Sequence, residues 1–166
     1  MSGKIKSLSE IKQIVNMLKA KGKRIVFTNG CFDILHIGHV KYLEEARSLG
    51  DILILGLNTD WSVCANKGPL RPLVAEQDRA EVLAALSCID YIVMFDEFTP
   101  ERLIEEIVPN ILVKGGDYKI DDIKGRECVE DHGGRVVSIP FIPDKSTSNL
   151  IKLIVERYGF VGRGDR

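Results

Sequence analysis

The chain lacks several features that would assign it to a broad class of protein. No apolar run in its 166 residues approaches the roughly 20 residues of a membrane span, and residues 1–6 lack the apolar core of a secretory signal. Its formal net charge is only −1, so the basic field of nucleic-acid-binding or membrane-surface proteins is missing. We therefore expect a cytoplasmic protein that acts on small molecules and has neither nucleic acid nor membrane as a partner.

Cysteine pairs are absent as well. The chain has four scattered cysteines and no C-x-x-C pair, which argues against a zinc site and against a redox dithiol. Such a pattern is typical of reduced thiols. Cys31 lies in a glycine-containing turn and is a conceivable nucleophile, but spacing provides no general base for it. A small residue in a crowded turn is the simpler interpretation.

The sequence does contain an alternation of short apolar runs and helical patterns. Strands are predicted at 24–29, 52–57, 91–95, 111–113 and 136–139. Because helical patterns separate these runs, we predict a single-domain α/β fold with a five-stranded, doubly wound parallel sheet. Residues 1–23 are predicted to form an N-terminal helix packed on a domain at 24–158, with a loose tail at 159–166.

The segment 28–39, TNGCFDILHIGH, connects the first predicted strand to a helix. A helix start offers unpaired N–H groups and partial positive charge, and so binds phosphate readily. His36 and His39 fall on one side of the first turn, and Gly38 lets a ligand approach the backbone. Two other interpretations are a solvated helix start and a metal-chelating pair, but zinc normally takes three or four protein ligands.

Other candidate ligand loops also follow predicted strands. Lys67 and Arg71 lie in the segment 59–72, interpreted as a loop, and the run 114–117 combines two glycines with opposite charges. Ser146, with the two hydroxyl residues after it, caps the last predicted helix. Ligands in doubly wound sheets bind beyond the carboxyl ends of the strands, so these loops predict one shared site.

The motifs carry a family resemblance over about 24–158. NGCFDILHIGH resembles the H-x-G-H signature of the cytidylyltransferase-like nucleotidyltransferases, and the S-T-S that opens the last helix is a second mark of that family. More narrowly, GLNTD, KGPLRP, VKGGDY and STSNLI are similar to stand-alone heptose 1-phosphate adenylyltransferases. The run IPDKSTS departs from the R-T-E-G-I-S-T run of choline- and glycerol-phosphate members, which favours ATP as the nucleotide.

The resemblance implies a Rossmann-like nucleotidyltransferase fold and a reaction. ATP and D-glycero-β-D-manno-heptose 1-phosphate would give ADP-heptose, used in lipopolysaccharide core biosynthesis, and pyrophosphate by direct in-line attack. Mg²⁺ would accompany ATP, and the chain would be a homodimer, with the first helix or residues 83–89 as candidate interfaces. The alternatives are a CTP-dependent cytidylyltransferase of glycerol- or ethanolamine-phosphate and a nucleotide sensor without turnover.

The resemblance also implies roles for particular residues, with no protein metal ligand among them. The catalytic residues would be His36, His39 and Lys41. The two histidines would bind the nucleotide together with Thr28, Asn29, Gly30, Phe32, Arg79, Lys114, Ser146, Thr147 and Ser148. The acceptor would be bound by Asp33, Lys67, Arg71, Gly115 and Asp117. Lys41 and Lys114 are equally interpretable as solvated charges, and Arg79 as part of a helix salt bridge.

Overall fold

A single parallel sheet organises the protein. The computed structural model describes residues 3–116 and 119–159. The strands are β1 (Ile25–Gly30), β2 (Ile52–Asn58), β3 (Tyr91–Phe95), β4 (Ile111–Gly115) and β5 (Arg135–Ile139). They pair in the order β3-β2-β1-β4-β5, which confirms the predicted five-stranded, doubly wound parallel sheet. The order reverses between β1 and β4, and this reversal opens a crevice at their carboxyl ends.

Helices connect the strands and cover both faces of the sheet. They are α1 (Leu8–Ala20), α2 (Ile37–Ser48), α3 (Asp60–Lys67), α4 (Glu76–Ala84), α5 (Glu101–Ile107), α6 (Arg126–Asp131) and α7 (Thr147–Tyr158). A 3-10 turn, Ile120–Asp122, precedes α6. Within the described ranges, no helix combines the length and the apolar character needed to cross a membrane.

Two apolar cores lie on opposite sides of the sheet, because successive strand residues point to opposite faces. On one side, Val26 of β1 packs in a core with Leu43 of α2 and Leu83 of α4. On the other side, Phe27 packs in a core with residues of α1, α5 and α6, among them Leu103. The continuous apolar runs of the central strands are therefore explained by burial on both faces.

The N-terminal residues belong to this architecture. A capping box starts α1, in which the Ser7 side chain accepts from the Glu10 backbone while the Glu10 carboxylate accepts from the Ser7 backbone. The helix packs against α5 and β3. Ile5 also forms a parallel bridge with Ile92, at the β3 edge of the sheet. The sequence pattern had predicted the helix but not this extra bridge.

The segment 59–72 is not entirely a loop, and this part of the prediction is wrong. It contains α3, which starts after Thr59, whose Oγ1 accepts from the Ser62 backbone N–H at 3.4 Å. The helix ends at Gly68, which has φ 94. Thr59 followed by Asp60 is a helix-start signal. The prolines and the glycine nearby concealed it.

The last helix lies on the surface. Ser146 caps α7 through a hydrogen bond from the Asn149 backbone N–H to its Oγ (3.1 Å), which confirms the predicted helix start. No residue of α7 is buried. Its exposed large apolar residues are Leu153, Ile154, Val155 and Tyr158. The predicted tail falls, from residue 160 onward, outside the described residues.

Candidate active site

A cleft of about 760 Å³ opens at the carboxyl ends of the strands. The loops that follow β1, β2, β3, β4 and β5 all contribute to its lining, as the topology requires. Most of the residues proposed from the sequence line it: Asn29, Gly30, Phe32, Asp33, His36, His39, Lys67, Arg71, Lys114, Gly115, Ser146, Thr147 and Ser148. The structure thus brings together residues that are up to 119 positions apart in the chain, Asn29 and Ser148.

Two stacked histidines form the centre of this cleft. His36 is the N-cap residue of α2, and His39 lies in its first turn. Their ring centroids are 3.8 Å apart with an interplanar angle of 22°. Because α2 begins at Ile37, helical backbone geometry fixes both imidazoles at the point where the free N–H groups begin.

Burial keeps both imidazoles neutral. It lowers the pKa of His36, and burial followed by the neighbouring His36 lowers the pKa of His39 to about 4. The Nδ1 atoms of both rings are buried and have no hydrogen-bond partner in the described structure. A buried N–H without an acceptor is costly, so we assign the proton to Nε2 in both rings. Each histidine then presents one N–H donor to a ligand.

The ring of Phe32 packs against the histidine pair. Its ring centroid lies 5.0 Å from that of His39, in a tilted arrangement. Phe32 has φ 45, a left-handed conformation that is uncommon for a bulky residue. Gly30 makes room for its ring, because a Cβ at Gly30 would lie 2.7 Å from Phe32 Cε2. The glycine and the phenylalanine of the motif therefore fix the position of His39.

Hydrogen bonds join β1 and β4 at the floor of the cleft. Lys114 Nζ donates to Asn29 Oδ1 at 3.1 Å, and burial lowers the pKa of this lysine. Beneath them, the Tyr42 hydroxyl donates to the Val113 carbonyl at 3.3 Å and shares a 2.5 Å hydrogen bond with Thr28. Thr28 is fully buried and does not line the cleft, which corrects the expectation that it would. Its hydroxyl is used to anchor α2 against the strands.

Asp33 holds a loop rather than presenting a free carboxylate. Its oxygens accept from Arg71 Nε at 2.5 Å and from the Leu73 and Val74 backbone N–H groups, both at 2.8 Å. The Leu73 and Val74 N–H groups and the Arg71 guanidinium lower the pKa of this carboxyl against the opposing effect of burial. Asp33 also lines the cleft, so its expected role in acceptor binding stays a prediction beside this internal one. The pair positions Arg71 at the edge of the cleft.

Arg79 is placed behind the cleft, which corrects the expectation that it lies near the phosphates. Its side chain is fully buried. Its Nη1 donates to the carbonyls of Cys31 and Asn58 at 2.6 and 2.9 Å, its Nε donates to the Val74 carbonyl at 2.9 Å, and its Nη2 donates to Asp60 at 2.8 Å. The guanidinium therefore joins the segments that follow β1 and β2 to the loop before α4. The other interpretation was a helix salt bridge with Glu76 or Asp78. The structure shows Asp60 as the carboxylate partner instead.

The predicted catalytic role of Lys41 does not agree with its position, because Lys41 is not among the residues that line the cleft. Lys41 lies on the exposed side of α2 and pairs with Glu44 at 2.8 Å, so the structure favours the solvated helix lysine over a catalytic one. Its position three residues before Glu44 explains the pairing. Asp117 lies outside the described residues.

The start of α7 completes the site from the other end of the chain. Thr147 Oγ1 donates to the Ile34 carbonyl at 3.4 Å, which joins this helix to the loop before α2. A Cβ built on Gly38 would lie 3.2 Å from Lys145 Cβ and 3.0 Å from the His36 ring. Two helix N-termini therefore converge on the histidines. Their dipoles add partial positive charge where the cations of the cleft already concentrate it.

Several cleft residues were missed by the sequence reasoning. Besides Lys145, they include Asn58 at the end of β2, Phe98 after β3, Lys124 in the loop after β4 and Phe141 after β5. All of them lie at or after strand ends, so the rule that placed the other loops could have found them. Phe98 and Phe141 were overlooked because they are apolar, although both side chains are exposed.

The cleft offers no evident metal centre. Across residues 3–116 and 119–159, no three His, Cys, Asp or Glu side chains converge in a way that could hold a metal ion. Among the residues that the structure describes, the histidine pair has no third protein ligand of the kind that a zinc site needs. All four cysteines are free thiols, and burial raises the pKa of Cys31.

Comparison with known proteins places the chain among nucleotidyltransferases. Residues 27–152 match the family model described as cytidylyltransferase-like. The chain is 56% identical over 156 residues to the Bifunctional protein HldE of Geobacter sulfurreducens. The aligned residues make up 94% of this chain and 32% of the relative. The HldE of Pelobacter propionicus is 57% identical over 155 residues, with 93% and 32% covered. The chain thus spans about a third of the length of these relatives.

Solved structures agree with this fold. A lipopolysaccharide core biosynthesis protein from Thermoplasma volcanium GSS1 superposes with a TM-score of 0.60 at 30% identity, covering 73% of this chain and 98% of that one. A pantoate-beta-alanine ligase from Francisella tularensis has a TM-score of 0.58 at 16% identity, with 97% and 80% covered. The second comparison concerns the fold alone. Together with the sheet order, these structures confirm a Rossmann-like nucleotidyltransferase fold.

Proposed function

The chain belongs to the cytidylyltransferase-like family, and from that premise we propose that it is an adenylyltransferase that joins AMP from ATP to a sugar 1-phosphate. The observation that carries the proposal is the pair of stacked, neutral histidines at the start of α2, facing the start of α7 across the cleft. Such a site offers N–H donors and partial positive charge but no activated nucleophile. It suits a direct transfer between two phosphates, in which positioning and charge stabilisation are the main requirements.

In this reaction an oxygen of the acceptor phosphate attacks the α-phosphorus of ATP in line with the leaving group. A new P–O bond forms, the bond from the α-phosphorus to the bridging oxygen breaks, and pyrophosphate leaves with the electron pair. The Nε2–H groups of His36 and His39 donate to the α-phosphate oxygens, on which negative charge increases in the five-coordinate transition state. No covalent enzyme intermediate is required.

The β- and γ-phosphates are assigned to the start of α7. Ser146 Oγ already accepts from the Asn149 backbone, so the backbone N–H groups of Thr147 and Ser148 are the available donors of the first turn. Mg²⁺ would accompany the triphosphate, held mostly by phosphate oxygens and water, and would neutralise part of its charge.

The acceptor is assigned to the β2 side of the cleft. Lys67 at the end of α3, and Arg71 held by Asp33, provide positive charge for a sugar phosphate. We propose D-glycero-β-D-manno-heptose 1-phosphate as the acceptor, which would give ADP-heptose. The GLNTD and KGPLRP motifs on this side, and the similarity to a lipopolysaccharide core biosynthesis protein, support that assignment.

Substitution of the histidines tests the mechanism. We expect His36→Ala and His39→Ala each to lower the rate of pyrophosphate release by a factor of about 100 or more, in the range lost with one donor to a transition-state oxyanion. His132→Ala is the matched control, since His132 is exposed and lies outside the cleft lining. Wild-type turnover in His36→Ala would contradict the mechanism. Nucleotide binding by the wild type without any pyrophosphate release would identify a sensor instead.

We further propose that the protein is a cytoplasmic homodimer. Some of the apolar residues that suggested the first helix and residues 83–89 as interfaces are buried within the chain itself: Ile11 and Val15 of α1, and Leu83 and Ile89. The apolar surface of α7 is the alternative, and we assign it to a second copy of the chain. Light scattering should report a dimer for the wild type and a monomer for a variant with Ile154→Glu, and a monomeric wild type would contradict this assignment.

A further inference from the structure

We propose that Lys145 binds the pyrophosphate end of ATP and stabilises the leaving group, a role that rests on the adenylyltransferase function proposed above. This lysine follows the loop after β5 and immediately precedes the Ser146 cap of α7. It lines the same cleft as the histidines. The sequence pattern had drawn attention to the hydroxyl residues beside it and not to the lysine.

The backbone around Lys145 is fixed by a tight turn. The Lys145 backbone N–H donates to the Ile142 carbonyl at 3.3 Å, and Asn149 Nδ2 donates to the Asp144 carbonyl at 3.4 Å. Asp144 has φ 61, in the left-handed region that aspartate tolerates better than most residues. The turn brings Lys145 against the start of α2. There, Gly38 is without a side chain, and a Cβ on it would meet Lys145 Cβ at 3.2 Å.

Lys145 is a cation of the cleft for which the described residues show no side-chain partner. Arg71 is paired with Asp33, and Lys114 donates to Asn29. Lys145 has an exposed side chain, and the described residues provide it with no ion pair. Its flexible four-carbon stem starts between the two helix N-termini. An ammonium group there can reach phosphates that extend from the histidines towards α7.

The chemistry of the transfer requires positive charge at this place. As the bond from the α-phosphorus to the bridging oxygen breaks, negative charge moves onto the departing pyrophosphate. The histidines are assigned to the α-phosphate, and the N–H groups of α7 are fixed dipoles. A mobile lysine adds a full charge that follows the leaving group, so it contributes to ATP binding and more strongly to the rate. AMP has no β- or γ-phosphate and gains nothing from Lys145.

Selective loss of ATP affinity tests the proposal. Calorimetric titration of Lys145→Gln with ATP should give a dissociation constant raised about tenfold, the size of one charge-assisted hydrogen bond, with AMP affinity unchanged. Pyrophosphate release should fall by a larger factor, mainly in kcat. Lys145→Arg should restore most of the ATP affinity. Lys152→Gln is the matched control, because Lys152 is an exposed residue of the same helix outside the cleft lining.

The outcomes separate this inference from the proposed function. If the wild type releases pyrophosphate from ATP and Lys145→Gln binds ATP like the wild type, the assignment of Lys145 is wrong and the proposed function stands. Equal weakening of ATP and AMP also overturns the assignment, because it indicates a change in the whole cleft. If the wild type neither binds nor uses ATP, both proposals are wrong.

Discussion

Replacement of Arg79 by methionine should destabilise the protein strongly, although the residue lies outside the substrate cleft. The arginine is fully buried, and all four of its hydrogen bonds go to protein groups. Methionine retains the apolar stem but leaves the carbonyls of Cys31, Asn58 and Val74 without this donor. An unsatisfied buried acceptor costs about 1–3 kcal/mol, so three of them cost about 3–5 kcal/mol after partial relaxation. Asp60, which is 43% exposed, can be hydrated instead.

Urea denaturation followed by circular dichroism measures this loss. A fall of about 3–5 kcal/mol is a large share of the roughly 5–15 kcal/mol that holds a typical domain together. Arg79→Lys should recover only part of it, because an ammonium group cannot reach four acceptors from one position. Arg102→Met is the control: this side chain is 69% exposed and pairs with Glu97, so its loss should cost less than about 0.5 kcal/mol. Equal stability of Arg79→Met and the control would refute this reasoning.

Three further substitutions or treatments test the construction of the site. The pKa of about 4 for His39, below its ordinary 6.5, means that the unfolded chain takes up a proton first as the pH falls, so stability should decrease between pH 6.5 and pH 4. Denaturation curves measured across this pH range give the free energy of unfolding. After allowance for the part of the ring open to solvent, His39→Gln should reduce its decrease by about 2 kcal/mol. The same pH dependence in His39→Gln and the wild type would contradict the burial of the ring. Gly30→Ala would place a Cβ 2.7 Å from the Phe32 ring, so pyrophosphate release should fall at least tenfold. Gly3→Ala is the control and should have wild-type activity, because there is open space around Gly3. Full activity of Gly30→Ala would show that the Phe32 ring can move freely. Iodoacetamide should modify the exposed Cys64 before Cys31, because burial raises the pKa of the Cys31 thiol, and peptide mass spectrometry that found Cys31 modified first would contradict this order.

The fold was predictable because its signals are local and repeated. Apolar runs such as 52–57 have the length and composition of strands buried on both faces, and cap residues such as Ser7 and Ser146 mark helix starts. The carboxyl ends of the predicted strands placed the cleft. The helix α3 escaped prediction because Gly68 and the prolines after it dominate the local pattern, whereas only the cap at Thr59 and a few apolar residues indicate a helix.

Hydrogen bonds between residues far apart in the chain could not be predicted from the sequence. Nothing near Arg79 in the chain reveals that its donors reach Cys31 and Asn58, which are 48 and 21 residues away. The same holds for Asp33, whose partners lie 38 to 41 residues further along. Both side chains were therefore interpreted as ligand contacts, whereas the structure shows that each also joins separate loops. Lys145 shows the converse, since only the folded chain brings it against Gly38.

The most direct test of the account is the identity of the product made from labelled nucleotides. The protein is incubated with Mg²⁺, D-glycero-β-D-manno-heptose 1-phosphate, and either ATP or CTP carrying a labelled α-phosphate, and the products are separated and weighed by mass spectrometry. We expect label from ATP to appear in ADP-heptose, with one pyrophosphate released for each molecule formed. Label transfer from CTP alone, or no transfer to the sugar phosphate from either nucleotide, would contradict it.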